Sequence, residues 1–547
     1  MKRLVLLVLA VVVAGVAFTY RFNAMGGTFG GFENDQFAHL MRTDMVLRGE
    51  QPLRDFTDAE LRGARPSLSY VLSAWAQQIG GRNLWPEAVL TIGALALSYA
   101  IVFALAADLS KSLSIGLLAA AVALVTRPKL YNYPKVLVLA LGALAIRAVV
   151  LKPSLVRLGF GAAVTAAAVL FRHDYGVYVA VGIVAGLIAR DAGEWKALAR
   201  RLAHYAGMTA ILLLPSAIWV QVYRGIPAYI KDALASAGLE TSRTELRLPG
   251  MSLSSWLTGE GLLTLTYYAF WAVLVVAGVM VMARAYAGQP SLTPEERGTA
   301  AGLLAMAAVA NMFFLRANLS QRFGDAVVLV VLLAAWTIGA AAGLGSRATR
   351  VATTVVSVAL LVGIFGSAYV FANVPRDLST SGLFDSWDTT STRFRTIRDE
   401  LRTLPPDVWP EDLAVGTLRA ARYVAECTSP DDYLLVAGYA PEVPVFAKRR
   451  FAAGQGTMSL SFYTSVADQQ RALERLRQQS VPIVLVSHEG VEEEFSNNYP
   501  LIAAHVTDHY RAAGWIEVEG ERRFRVFVEA ARQPRRTDPH LGLPCFQ

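Results

Sequence analysis

Two carboxylates, Glu33 and Asp35, stand two residues apart in a polar stretch between two apolar runs. A carboxylate near a membrane surface can take a proton from a hydroxyl, the step that general-base catalysis requires. Asp35 also precedes apolar residues at helical spacing, where an acid serves as a helix N-cap. Both readings stand at this point. Basic residues gather in three further polar stretches. Lys129 and Lys135 flank Tyr131 in 126–135, Arg172 precedes His173 and Asp174 in 171–176, and Arg316 and Arg322 bracket Gln321 in 315–325. Guanidinium forks match phosphate oxygens bidentately, and ammonium groups act as point charges. Such residues at the ends of apolar runs also snorkel towards lipid headgroups. A His beside an Asp serves acid–base or metal chemistry in some proteins and is an exposed polar pair in more of them. Asp325 opens an apolar run and suits a cap.

The elements that must position these groups follow from composition. The 547 residues are 54% hydrophobic and only 17% charged, with a mean hydropathy of +0.40. Soluble domains carry about 25% charged residues, so a disordered chain, a coiled coil and an ordinary cytosolic enzyme are excluded. About 20 apolar residues cross a bilayer as a helix. That ruler predicts spans at 4–20, 86–107, 113–126, 134–151, 158–171, 175–190, 205–223, 262–283, 298–315, 325–343 and 351–373. The first of them also suits a secretory signal peptide. The net charge of +8 is spread over short clusters between spans, a pattern of topology signals rather than of a nucleic-acid surface.

The positive-inside rule puts the N-terminus in the cytoplasm, because the dense run Arg190, Lys196, Arg200 and Arg201 then faces inward. The loop 21–85, the three basic stretches and residues 374–547 all fall outside. Within the long loop, Phe37, Leu40, Met41, Met45 and Val46 recur at helical spacing, which predicts a helix lying along the membrane surface. The tail changes character. Strand-like runs at 432–437, 482–487 and 524–528, with an amphipathic helix at 465–479, predict a small α/β domain. Cys427 and Cys545 lie there, and an oxidising compartment would allow them to pair. Lys448-Arg449-Arg450 reads as a solvated face. No GxSxG, HExxH or Walker pattern occurs, so hydrolase and NTPase readings have no support.

The polar groups thus sit on one face of the membrane, and the span interiors hold almost none beyond Arg147. A transporter would place ionisable groups and broken helices near the midplane. An enzyme working at the outer interface fits better, with a flippase for lipid-linked saccharides or a non-catalytic scaffold as the alternatives.

The run Asp35-Gln36-Phe37-Ala38 to Leu47-Arg48-Gly49-Glu50-Gln51-Pro52-Leu53-Arg54-Asp55-Phe56 resembles the first outer loop of the GT-C superfamily of membrane glycosyltransferases. In that loop an acid precedes a helix ending in a Gly-x-x-Pro-aromatic-x-Asp-Phe pattern. Arg65-Pro66-Ser67-Leu68-Ser69-Tyr70 with Gly80, Arg172-His173-Asp174-Tyr175-Gly176 and Arg316-Ala317-Asn318-Leu319-Ser320-Gln321 resemble later motifs of the same family, in the same order. The likeness is to the aminoarabinose and mannosyl transferase type.

The resemblance implies a polytopic α-helical membrane protein of about 11 spans, with a C-terminal extracytoplasmic α/β domain. Residues 1–373 would form the catalytic module, carrying the loop 21–85, and 374–547 the periplasmic domain. It implies an inverting hexosyl or pentosyl transferase of the bacterial inner membrane, using a polyprenyl-phosphate sugar and an envelope glycan, lipid or protein as acceptor. Asp35 would be the base, with Glu33 as its substitute. Lys135, Arg172 and Arg316, then Lys129 and Arg322, would meet the donor phosphate, and His173, Asp174, Tyr131 and Gln321 would line the pocket. No cofactor is certain; any divalent cation, Mg or Mn, would rest on Glu33 and Asp35. Gln36 stands where the family often has an acid, Asn318 where it has Asp and Gln321 where it has His. Asn318 and Gln321 keep hydrogen bonding and lose the titratable group, and Gln36 takes the place of the second acid.

Overall fold

The computed structural model describes residues 2–25, 32, 34–57, 68–243, 250, 259–286, 292–312, 322–403, 416–459, 463–487, 489–518 and 521–547. Glu33, Arg316, Asn318 and Gln321 lie outside the described residues. A helix stands at every expected span position. Among the described residues seven are long and apolar enough to cross a membrane: Leu4–Asn23, Leu84–Ser110, Leu130–Leu151, Trp195–Tyr223, Gly259–Arg284, Phe323–Ala341 and Arg347–Phe371. Leu113–Val125 and Leu155–Phe171 are apolar but shorter, and His173–Arg190 and Pro294–Met312 fill the two remaining positions. Helices dominate because lipid offers no partner for backbone N–H and C=O groups, which a helix satisfies internally.

Two compact units share the chain. The first comprises Met1–Gly26, Ala88–Trp219 and Ala237–Arg395 and holds the spans. Its tightest helix pair, His173–Arg190 against Pro294–Met312, meets at glycines. A methyl group on Gly298 would lie 2.7 Å from the Gly186 carbonyl oxygen, and one on Gly302 2.8 Å from that of Gly182. Only small residues let two backbones approach so closely. Residues 374–395 belong to this unit too. Asn23 donates to the carbonyls of Ser381 and Thr390, both at 3.0 Å, and Arg127 pairs with Asp377 at 2.6 Å.

The second unit comprises Gly27–Glu87, Val220–Ser236 and Thr396–Gln547. All three segments fall on the same side in the topology read from the sequence. Segments on opposite sides of a bilayer cannot pack together, so this grouping is what a common side requires. A five-stranded sheet organises the unit: β1 (Tyr433–Ala437), β2 (Arg450–Phe451), β3 (Ile483–Ser487), β4 (Tyr510–Val518) and β5 (Glu521–Glu529), in the order β2-β1-β3-β5-β4. β1 runs parallel to β2 and β3, while β5 is antiparallel to β3 and β4. The expected strands at 432–437, 482–487 and 524–528 and the helix at 465–479 (Val466–Leu476) are present. Among the described residues Cys427 and Cys545 form a disulfide.

The helix Asn34–Leu47 is present, but its apolar face does not lie open. Ala38, Met41 and Met45 pack with Phe56 and Phe451 in one buried cluster. The open apolar side chains are on the next helix, Leu68–Gly80, where Trp75 and Ile79 are 59% and 90% exposed. Periodicity reveals that a helix has an apolar face; it does not reveal whether protein or lipid covers that face.

Candidate functional site

Asp35 lies inside the first turn of Asn34–Leu47, not ahead of it, so it is no N-cap. An anion there is favoured by the partial positive charge of the helix N-terminus. Its carboxylate is half-buried, and Oδ1 accepts a 2.6 Å hydrogen bond from the Tyr439 hydroxyl. Tyr439 sits in the turn between β1 and the helix Glu442–Ala447. Glu442 opens that helix with Oε2 buried and without a hydrogen-bond partner among the described residues, and burial pushes its carboxyl above the usual range.

Gln36 points the other way. It is buried and donates to Oε1 of the buried Glu87, whose Oε2 accepts from Ser73. An acid at position 36 would set two buried carboxylates face to face, which is the physical sense of Gln36 in this chain. Sequence reading missed Glu87, because an acid at the start of an apolar run looks like a boundary.

The Gly49–Phe56 stretch is an anchor. Gly49 (φ +85°) turns the chain where a side chain would be strained. Leu53 N–H donates to Phe56 O at 2.8 Å, Gln51 N–H to Asp55 Oδ2 at 2.8 Å, and Phe56 is fully buried. Glu50 accepts from the Tyr433 hydroxyl at 2.9 Å and from Arg450 at 3.3 Å, while Arg48 donates to the carbonyl of Lys448 at 2.8 Å. The Lys448–Arg450 run therefore binds the loop rather than facing solvent alone. Arg449 is buried.

The first unit gathers the phosphate candidates. Lys135 is 6% exposed, and its Nζ lies 2.7 Å from Asp325 Oδ2. Asp325 is thus an ion-pair partner and not merely a cap. Arg172 and Arg322 lie near enough to act on the Lys135 charge. Arg172 forks onto Asp174 at 3.0 and 2.7 Å and stands 5.4 Å over the Tyr175 ring. Arg322 Nε is buried and has no hydrogen-bond partner among the described residues. Three cations thus face two carboxylates, so the cluster keeps an excess positive charge. Lys129 is turned to the Tyr131 ring, 5.7 Å away, and His173 is half-buried at the first position of its helix.

Of the two acids expected to carry a cation, only Asp35 is described, and a phenol already donates to one of its oxygens. The described residues hold only one acid of that pair. The one metal-capable grouping among them, Cys427, Asp538 and Cys545, has its two thiols in the disulfide.

A crystal structure of ArnT from Cupriavidus metallidurans bound to undecaprenyl phosphate matches 96% of this chain and 98% of its own, with a TM-score of 0.51 and 15% identity. The chain has that fold. The expected architecture, a polytopic helical membrane protein with a small C-terminal sheet, is therefore the one observed. No protein-family model matches the sequence, and no curated protein matches it.

Proposed function

We propose that this chain is an inverting glycosyltransferase of the bacterial inner membrane, taking a sugar from a polyprenyl-phosphate donor at the periplasmic face. Asp35 accepts the proton of the acceptor hydroxyl while that oxygen forms its bond to the anomeric carbon. The carbon–oxygen bond to the lipid phosphate breaks, and the phosphate leaves with the electron pair. Lys135, Arg172 and Arg322 offset the charge that grows on it, as fixed cations do for a developing anion. Arg316, Lys129 and Glu33 remain candidates for the same roles. The observation that carries this reading is the cationic excess around Lys135, in a chain that shares its fold with a polyprenyl-phosphate-bound protein.

The test is purified protein in lipid, a panel of polyprenyl-phosphate sugars, and membrane extract as acceptor. Release of polyprenyl phosphate together with sugar incorporation supports transfer. Vesicle translocation of the intact donor, with no new glycosidic bond, would replace it by a flippase.

A further inference from the structure

The second unit contains a cavity of about 240 Å³ whose lining does not include Asp35. Its walls carry four guanidiniums, Arg54, Arg224, Arg471 and Arg475, against two carboxylates, Asp232 and Asp468. Three of the cations have acid partners. Arg224 donates to Asp232 at 2.8 Å, Arg471 pairs with Asp468, and Arg54 donates to Asp55 at 2.8 Å. Arg475 differs. It donates to the Arg54 carbonyl at 3.3 Å, and no carboxylate lies within 4 Å of it among the described residues. Its side chain is half-buried against Gly454, where even a methyl group would collide with it. Burial, with the Arg471 charge second, holds its guanidinium below the ordinary range. Asp55, Glu50 and Glu474 act on it only from beyond contact distance, and an anionic ligand would supply the charge-assisted partner that this half-buried cation lacks among the described residues. Tyr223, Tyr229 and Tyr463 line the same cavity, giving it the aromatic and hydroxyl surface on which sugar rings pack.

We propose that this cavity binds an anionic saccharide, a sugar unit carrying a phosphate or a carboxylate, with Arg475 as its principal partner. Binding requires no assumption about transfer; under the transferase reading, it makes the acceptor an acidic glycan. The test uses the full chain in phosphatidylcholine nanodiscs, titrated calorimetrically with glucose 6-phosphate, glucuronate, glucose and inorganic phosphate. Both acidic sugars should bind saturably and glucose should not. Arg475→Gln should weaken them at least ~10-fold and Arg475→Lys less, as loss of a charge-assisted contact predicts. If Arg475→Gln fails to fold, Arg475→Lys and Arg54→Gln carry the test, each with a measurable loss expected. Wild-type affinity in the folded variants would overturn the proposal. So would glucose binding as tightly as the acidic sugars, or inorganic phosphate as tightly as glucose 6-phosphate. Acidic-sugar binding without any polyprenyl-phosphate release would sink the transferase reading and leave this one standing.

Discussion

The Tyr439 hydroxyl donates a 2.6 Å hydrogen bond to Asp35 Oδ1, joining residues 404 positions apart. One carboxylate oxygen is thereby held, and the ring orientation is set by the turn after β1. For a base that must meet a hydroxyl in a fixed direction, such a bond supplies orientation. Tyr439→Phe should keep the fold and lower kcat by roughly 10-fold, the size of one hydrogen bond to a charged group. KM for donor should change little. Initial rates over a donor series, with a melting curve as control, check this.

The Lys135–Asp325 pair separates structure from function. Lys135→Gln removes the ion-pair partner of the buried Asp325 and should cost about 3–5 kcal/mol of stability. Adding Asp325→Asn should recover most of that stability without recovering donor binding, if Lys135 meets the lipid phosphate. Thermal unfolding and binding of a polyprenyl-phosphate analogue, measured on both variants, distinguish the two effects.

Glu442 sets a pH dependence. Burial raises its carboxyl in the fold, so the folded state favours the protonated form. Its contribution is fully present below the unfolded value and is lost as pH rises through the folded one. Glu442→Gln should therefore melt at an equal or higher temperature than the parent at pH 7.5. That advantage should vanish near pH 4. Melting curves at the two pH values decide it.

The disulfide closes a separation of 118 residues between Cys427 and Cys545. Its loss through Cys427→Ser/Cys545→Ser should cost about 2–5 kcal/mol. Thiol labelling of protein from intact cells should fail until a reductant is added. Labelling without reductant would place this part of the chain in a reducing compartment.

Much of this architecture is legible in the residues. The helices at the span positions can be read because lipid forces apolar segments into helices, so that hydropathy carries the signal. β1 and β3 can be read because buried parallel strands are short apolar runs. β4 escapes notice. Tyr510–Val518 carries Gly514 at a register shift with β5, so its alternation is broken. β2 is only two residues long. Asp35 stands out by its place before a periodic run, whereas Tyr439, Glu87 and Asp325 acquire their partners only through folding. The basic cluster is half legible: sequence gives the cations, but not that Lys135, Arg172 and Arg322 share one neighbourhood while Lys129 turns to Tyr131.

The central claim is that Asp35 is the base of a sugar transfer from a polyprenyl-phosphate donor. Its most direct test compares wild type with Asp35→Asn, both folded by melting curve, for polyprenyl-phosphate release in lipid with donor and acceptor present. Wild type should release polyprenyl phosphate and the variant at least ~100-fold less, the range of general-base catalysis. Equal release by the two proteins would contradict it.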